Sequence, residues 1–198
     1  MNRYIAVEGV DGAGKSTVAR QLAHALRQRG HSVTDVREPG GTAAGELIRE
    51  IVLGRTSQLD DWTEALLFAA ARAQLAATVV APALERGDLV VSDRSYYSSL
   101  AYQGAARGLG IDIVRTVNEA GLRGVVPDLI LLLRIDAEGG MAREDEQDRI
   151  SGEGVELQHR VAAGYDLLAS AEPNRFLVVD ATRSVDEIVA AALAVIDP

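Results

Sequence analysis

The sequence predicts a three-layer α/β fold, in which a doubly wound, five-stranded parallel sheet carries helices on both faces. Five short strand-like segments alternate with helical patterns, which is the order that such a sheet requires. Two of the strand segments contain continuous apolar runs rather than an apolar residue at every second position, at Leu89–Val91 and Leu129–Leu133. Continuous apolar runs are typical of strands that helices cover on both faces, so the sheet should be parallel.

The carboxyl ends of the predicted strands should share one edge of the sheet, where ligands of such folds bind. The strands span Tyr4–Glu8, Ser32–Arg37, Leu89–Asp93, Asp128–Arg134 and Arg175–Asp180. Residues that close a strand are therefore candidates for a binding site.

Apolar residues at helical spacing fill the intervals between the strands. One helical pattern stops before Gly30 and a second stops before Gly54. Glycine commonly follows the last residue of a helix, so both helices are predicted to end there. A longer helix is predicted to begin at Asp61, with Glu64 as its capping-box partner, and to continue toward Pro82. Further helices are predicted near Ser98–Arg107, Ile113–Gly121, Glu156–Ala169 and Val185–Ile196.

A chain of 198 residues has the size of one compact domain, and no repeat or linker divides it, so we predict a single domain over 1–198. The stretch around 137–154 departs from the strand and helix patterns. It combines a glycine pair with an acidic run, at Gly139, Gly140, Glu144, Asp145, Glu146 and Asp148. We expect a mobile surface flap here rather than a core element.

Composition limits the partners of the chain. The 20 basic and 29 acidic side chains give a net charge of −9, which disfavours an extended contact with nucleic acid or an anionic membrane. The absence of cysteine excludes disulfides and thiolate chemistry, and the three histidines are too scattered to suggest a metal site. Uninterrupted apolar runs are too short to span a bilayer and the N-terminus lacks a signal-peptide pattern, so we expect a cytoplasmic protein.

The first predicted strand runs directly into a glycine-rich segment. This segment consists of Gly9, Val10, Asp11, Gly12, Ala13, Gly14, Lys15, Ser16 and Thr17. Its glycine spacing, followed by lysine and serine, is typical of a loop that binds the phosphates of ATP at a helix N-terminus. Lys15, the only lysine of the chain, would add positive charge near the β and γ phosphates, and Ser16 would be a ligand of Mg²⁺.

Two further polar segments close predicted strands. Asp93 and Arg94 end the third strand, where an aspartate can order Mg²⁺ and its waters and an arginine can reach a bound anion. Arg37 ends the second strand and begins a turn-rich stretch that continues to Thr42. Taken alone, this second stretch is equally consistent with an ordinary loop.

The phosphate-binding loop leaves several classes of protein open. A GTPase needs an Asn-Lys-x-Asp motif to read guanine, and this motif is impossible because Lys15 is the only lysine. Motor and transporter ATPases usually have more domains than this length allows. A small kinase acting on a small acceptor remains. A kinase for another nucleoside monophosphate or a sugar acid, and a non-catalytic ATP-binding regulatory module, are the alternatives.

Eight segments along nearly the whole chain match one known family in that family's own order. They are Glu8–Thr17, Arg37–Thr42, Leu67–Gln74, Asp93–Arg94, Ala101–Gly104, Pro127–Leu129, Asp148–Ile150 and Val179–Ala181. On these segments the chain resembles the thymidylate kinases, P-loop nucleoside monophosphate kinases that make dTDP from dTMP and Mg-ATP. The resemblance implies the P-loop NTPase fold, Mg²⁺ as cofactor with ATP as phosphoryl donor, and a homodimer.

The resemblance also implies roles around the phosphate and sugar of the acceptor. Arg37 and Arg94 would hold the phosphate of dTMP. Asp11 would bind the 3′-hydroxyl of the deoxyribose near the reacting phosphates. Tyr102 would crowd the sugar and disfavour a 2′-hydroxyl.

A third set of implied roles concerns the base. Phe68 would stack on thymine, Arg72 would reach a base carbonyl, and Ser99 with Gln103 would face the polar edge of the base. Phe68 and Arg72 are four residues apart, so on a helix they share one face and can address one planar base together.

The resemblance also implies that the flap over ATP supplies positive charge, because the chain is similar to the class of this family that has no arginine in the phosphate-binding loop. Within the resemblance, Arg149 is the best candidate and Arg143 the second. The predicted catalytic residues are therefore Lys15, Arg94, Asp11 and Arg149. This flap is short and unusually acidic for the family.

Overall fold

A computed structural model describes residues 3–54, 58–143 and 148–197. The strands are β1 (Tyr4–Glu8), β2 (Val33–Arg37), β3 (Leu89–Asp93), β4 (Leu129–Arg134) and β5 (Phe176–Asp180). They form one parallel sheet in the order β2-β3-β1-β4-β5. The predicted five-stranded parallel sheet is thus confirmed, with β1 at its centre and buried along its whole length.

Helices connect the strands and cover both faces of the sheet. They are α1 (Lys15–Gln28), α2 (Ala43–Leu53), α3 (Asp61–Leu75), α4 (Ala81–Arg86), α5 (Tyr96–Ser99), α6 (Ile111–Leu122), α7 (Ala137–Met141), α8 (Val155–Ala171) and α9 (Val185–Ile196). Helix α1 packs against α9, whereas α8 packs against a helical segment that follows α5. The strand and helix order places the phosphate-binding loop between β1 and α1, as predicted.

Two helices contain wider turns, in which the backbone hydrogen bonds follow the i to i+5 pattern, at Ala76–Val80 and Leu100–Ala106. The first of these turns joins α3 to α4, so the helix runs from Asp61 to Arg86, beyond the predicted limit near Pro82. The proline lies in the first turn of α4, where a missing backbone N–H disturbs a helix least.

By length and composition alone, the helix from Asp61 to Arg86 could cross a membrane. The core helix of a compact protein passes the same test. In this chain Glu64 and Arg72 of that helix are 1% and 3% exposed, and both form ion pairs with residues of other elements. Paired, buried charges of this kind are typical of a helix in a protein interior.

The predicted capping box of α3 is wrong. Asp60, not Asp61, is the N-cap, and its carboxylate accepts a hydrogen bond from the backbone N–H of Trp62 at 3.1 Å. Glu64 turns inward instead of capping the helix, and it pairs with arginines from other parts of the chain. Charge-assisted contacts with guanidinium groups are stronger than a cap bond to a neutral N–H, so tertiary contacts decide the direction of this side chain.

The predicted flap contains α7 and a short 3-10 turn at Ser151–Glu153. Three of its acidic residues lie outside the described part of the chain: Glu144, Asp145 and Glu146. The mobility of the flap stays a prediction.

Candidate active site

A cavity of about 470 Å³ opens where β1, β2 and β3 end. Most of the predicted site residues line it: Asp11, Gly12, Gly14, Lys15, Ser16, Thr17, Arg37, Phe68, Arg72, Asp93, Arg94, Ser99, Tyr102 and Gln103. The loop residues Gly9, Val10 and Ala13 and the flap residue Arg149 are not part of its lining. The fold therefore brings residues from across the sequence to the expected edge of the sheet.

The loop between β1 and α1 depends on its glycines. Gly9, Gly12 and Gly14 have positive φ angles of 146°, 73° and 89°. A Cβ atom on Gly12 would lie 1.8 Å from the carbonyl oxygen of Gly140 in α7. Position 12 therefore needs glycine both for its left-handed backbone and for the close contact with the flap. Helix α1 begins at Lys15, so the loop adjoins the N–H groups of a helix N-terminus, which favour anions.

Lys15 is held inside this loop and is 7% exposed. Its ammonium group donates a hydrogen bond to the carbonyl oxygen of Val10 at 2.6 Å, and the Asp11 carboxylate lies 4.0 Å away. Burial, with a smaller contribution from the positive charge of Arg94, lowers the pKa of Lys15 to about 8. The charge of Lys15 should therefore respond to any anion that binds beside it.

Ser16 and Asp93 meet at the start of α1. The Ser16 hydroxyl donates a hydrogen bond to Asp93 Oδ2 at 2.5 Å. Two oxygen donors fit Mg²⁺, which keeps several water ligands and commonly takes further oxygens from phosphates. In the part of the chain that the structure describes, no group of three or more His, Cys, Asp or Glu side chains could hold a metal ion. The remaining ligands of a magnesium ion held here would be water molecules and phosphate oxygens.

Arg94 and Asp11 form an ion pair beside the loop. The Arg94 guanidinium also donates to the Ser98 hydroxyl at 3.2 Å, and its central carbon lies 5.2 Å from the centre of the Tyr102 ring. The Tyr102 hydroxyl donates to Asp11 at 3.0 Å. Burial alone would raise the pKa of Asp11, but the positive charges of Arg94 and Lys15 outweigh burial and lower it. The cavity thus contains a fixed cation and a fixed anion in contact.

Glu8, which was not a predicted site residue, supports Arg94 through the Ser98 hydroxyl. Its fully buried carboxylate accepts hydrogen bonds from the backbone N–H and the hydroxyl of Ser95, both at 2.7 Å. It also accepts from the hydroxyls of Ser98 at 2.6 Å and Tyr165 at 2.7 Å. Because Ser98 accepts from Arg94 in turn, Glu8 helps to fix the arginine. The signal in the sequence was a carboxylate at the end of an apolar strand.

Arg72 lies deep in the cavity, and each of its nitrogens has a partner. Nε pairs with Glu38, Nη1 contacts Asn118, and Nη2 donates to the carbonyl oxygen of Ser95 at 3.3 Å. Nη1 also donates to the Ser99 hydroxyl at 3.1 Å. Asn118, on α6, was not a predicted site residue, and it stands far from the other motifs in the sequence. These contacts hold the guanidinium plane in one orientation.

Phe68 and Gln103 line the same cavity. Phe68 lies one turn before Arg72 on α3, as its spacing predicted, and is 9% exposed. Gln103 is 2% exposed and donates a hydrogen bond from Nε2 to Glu64 at 2.7 Å. An aromatic face, a guanidinium and an amide therefore converge on one space.

Arg37 lies at the cavity but is engaged by α2. Its Nη2 donates to both carboxylate oxygens of Glu46, at 2.9 and 2.8 Å. Both side chains are about half exposed, so the pair contributes little to stability and can exchange with a bound anion.

The two flap arginines occupy different positions. Arg149 donates from Nε to the carbonyl oxygen of Val52 at 2.9 Å and pairs with Glu64, outside the lining of the cavity. Arg143 lines the cavity and donates to the carbonyl oxygen of Ala181 at 3.0 Å. In this arrangement the second candidate, and not the first, stands at the cavity. The sequence spacing of the two arginines carried no information on this difference.

Three comparisons relate the chain to one family. The family model described as thymidylate kinase matches residues 7–192. The thymidylate kinase of Pelotomaculum thermopropionicum is 48% identical over 187 residues, covering 92% of this chain and 87% of the relative. That of Deinococcus radiodurans is 45% identical over 188 residues, covering 93% and 91%. A crystal structure of thymidylate kinase from Ehrlichia chaffeensis matches with a TM-score of 0.83 and 26% identity, covering 100% of this chain and 99% of that one. The chain therefore belongs to the thymidylate kinase family and is a nucleotide-binding kinase.

Proposed function

We propose that this chain transfers the γ-phosphate of Mg-ATP to dTMP, giving dTDP and ADP on the route to dTTP. One observation carries the proposal: a single cavity is lined both by the phosphate-binding loop and by the acceptor-side residues Phe68, Arg72 and Arg94. A protein that only senses ATP would need the phosphate-binding loop but not the acceptor-side residues. Membership of the thymidylate kinase family supports dTMP as the acceptor.

Positioning and charge neutralisation account for the reaction, without a covalent intermediate on the protein. An oxygen of the dTMP phosphate attacks the γ-phosphorus of ATP. The bond from that phosphorus to the bridging oxygen breaks, and its electron pair leaves with ADP. Lys15 would contact the β and γ phosphates, while Arg37 and Arg94 hold the phosphate of dTMP. Asp11 would accept a hydrogen bond from the 3′-hydroxyl of the sugar and would orient Arg94 through their ion pair.

Ser16 and Asp93 would hold the Mg²⁺ that accompanies ATP, since their oxygens already lie within hydrogen-bonding distance of each other. When bound, the ion would neutralise charge on the β and γ phosphates. Ser16 stands directly after Lys15, so the same loop would address the phosphates and the ion together.

The thymine base would stack on Phe68, receive a hydrogen bond from Arg72, and meet Ser99 and Gln103 along its polar edge. Tyr102 would exclude a 2′-hydroxyl from the sugar site. Its ring packs beside Arg94 and its hydroxyl bonds to Asp11, which supports a fixed position for this side chain. A side chain in a fixed position excludes a 2′-hydroxyl better than a side chain that can move aside.

The flap around 137–154 would close over ATP and bring Arg149 to the transferring phosphate. We also propose that the protein is a cytoplasmic homodimer without a nucleic-acid or membrane partner. Leu66 on α3 is 53% exposed and supports a contact between two copies at this helix. The net charge of −9 supports the absence of polyanionic partners.

Measurement of ADP formation with Mg-ATP and a panel of nucleoside monophosphates and small hydroxy acids tests this function. We expect dTMP to be the best acceptor. Loss of one methyl contact costs about 1–3 kcal/mol, so dUMP should be weak rather than inert, with ribonucleotides and purine monophosphates weaker still. Equal efficiency with CMP or AMP would remove the assignment to dTMP.

A further inference from the structure

Glu64 is a buried carboxylate to which the proposed reaction assigns no role. It lies on α3, one turn before Phe68, and is 1% exposed. It accepts hydrogen bonds from Arg107 Nε and Nη2, both at 2.9 Å, and from Gln103 Nε2 at 2.7 Å, and it pairs with Arg149. Each of these donors comes from a part of the chain other than α3.

Arg107 and Arg149 keep this carboxylate ionised, and the two hydrogen bonds from Arg107 would remain if the proposed closure of the flap moves Arg149 away. Burial alone would raise the pKa of Glu64, but the hydrogen bonds from Arg107, Arg149 and Gln103 outweigh burial and lower it. A second carboxylate, Glu153, lies 2.6 Å from Arg107 and 3.6 Å from Arg149. The two guanidinium groups therefore lie between two buried or half-buried carboxylates, and the half-exposed Asp61 adds a third carboxylate 3.5 Å from Arg107.

An ionised carboxylate accepts hydrogen bonds and cannot donate them, so only the NH₂ group of Gln103 can face Glu64. Chemistry thus fixes which end of the amide points away from Glu64. Among the residues that the structure describes, no donor reaches Gln103 Oε1. This oxygen remains as the acceptor that Gln103 offers in the cavity that it lines.

We propose that Glu64 is a positioning residue that selects the acceptor base by fixing the direction of the Gln103 amide. Thymine has an N–H group at N3, which matches an amide oxygen. Cytosine has an unprotonated N3, which would place one acceptor against another. The inference rests on the proposed position of Gln103 at the polar edge of the base, and it adds a physical reason for rejecting dCMP.

The test compares the ratio of kcat/KM for dTMP to kcat/KM for dCMP in the native enzyme and in variants. Glu64→Gln preserves size but allows the two neighbouring amides to turn together, so that Gln103 can present NH₂ to cytosine. We expect the ratio to fall by at least about tenfold, the scale of one mismatched hydrogen bond. A merely structural role for Glu64 would lower both efficiencies and leave their ratio unchanged.

A double variant supplies the rescue. Glu64→Gln combined with Gln103→Glu moves the carboxylate to position 103, where it accepts from the new amide and still offers an acceptor to N3–H. The net charge of the cluster is unchanged, so the ratio should recover toward that of the native enzyme. If Glu64→Gln alone does not fold, as judged by circular dichroism, the double variant is compared with the native enzyme directly. A retained ratio then supports the proposal and a lost ratio overturns it.

Asp61→Asn is the matched control, because Asp61 is a half-exposed carboxylate on the same helix, 3.5 Å from Arg107. It should leave the ratio unchanged. Gln103→Leu tests the proposed position of Gln103 at the base separately from the proposed role of Glu64. If Gln103→Leu lowers the ratio and Glu64→Gln does not, the role of Glu64 is wrong and the base site stands. If Gln103→Leu also has no effect on the ratio, the proposed position of Gln103 at the base is wrong.

Discussion

The side-chain amide of Gln158 holds Asp11 at two points. Gln158 Oε1 accepts a hydrogen bond from the backbone N–H of Asp11 at 3.1 Å, and Nε2 donates to Asp11 Oδ2 at 2.7 Å. Gln158 lies on α8 and is 1% exposed, so a rigid helix supports the phosphate-binding loop. The other carboxylate oxygen, Oδ1, contacts Arg94 and Tyr102. Gln158 therefore sets the direction in which Asp11 faces the cavity.

Gln158→Leu should lower kcat/KM for dTMP by about tenfold to a hundredfold, because a buried carboxylate and a backbone N–H each lose a hydrogen bond. The KM for ATP should change less. Steady-state kinetics with each substrate varied in turn will show this. His159→Ala is the control, since His159 is the next residue and its exposed side chain pairs with Glu138. Equal effects of the two substitutions would mean that Asp11 does not depend on Gln158.

Lys15→Ala should abolish phosphoryl transfer and leave the fold intact. Lys15 is the only lysine of the chain and lies inside the phosphate-binding loop. Removal of its charge leaves the β and γ phosphates without their compact cationic partner. Turnover and the thermal unfolding transition are measured on the same preparation. Near-normal turnover with an unchanged transition would show that the loop has been assigned incorrectly.

ATP binding should weaken as the pH rises through about 8, the lowered pKa of Lys15. Burial favours the neutral amine in the free enzyme, whereas a bound polyphosphate favours the ammonium form. Binding above this pH must therefore be accompanied by proton uptake, which calorimetry in two buffers of different ionisation enthalpy detects.

Lys15→Arg provides the comparison for this pH dependence, because arginine stays charged throughout the same range. Its affinity for ATP should lack the loss that is centred near the pKa of Lys15. A flat profile for the native enzyme, or the same decline in Lys15→Arg, would assign the pH dependence to another group.

Arg149→Ala should lower kcat by at least roughly a hundredfold, with a smaller change in the KM for dTMP, if the flap arginine acts mainly in the transition state. Arg143→Ala should have a smaller effect. The opposite result would identify Arg143 as the catalytic arginine, in agreement with its position at the cavity. If neither Arg149→Ala nor Arg143→Ala changes kcat, the flap does not complete the active site.

The strands could be predicted almost residue by residue. β1 and β3 have the predicted bounds, and β2, β4 and β5 begin one residue later than predicted, each at the first apolar residue after a polar one. For the central strands β3, β1 and β4 the apolar runs are the signal, because a central strand of a parallel sheet is buried on both faces and tolerates few polar residues. Pairing with the neighbouring strand, and not the local sequence alone, decides at which residue a strand begins.

The sequence by itself determined the phosphate-binding loop, since its chemistry depends on consecutive residues between one strand and one helix. It also determined that Phe68 and Arg72 share a helix face. Only the tertiary structure decided the polar partners, such as Glu64 with the arginines and Gln158 with Asp11. These partners come from distant parts of the chain, and local propensity does not encode them. A buried polar side chain is oriented by whichever donor or acceptor the packed elements bring within about 3 Å of it.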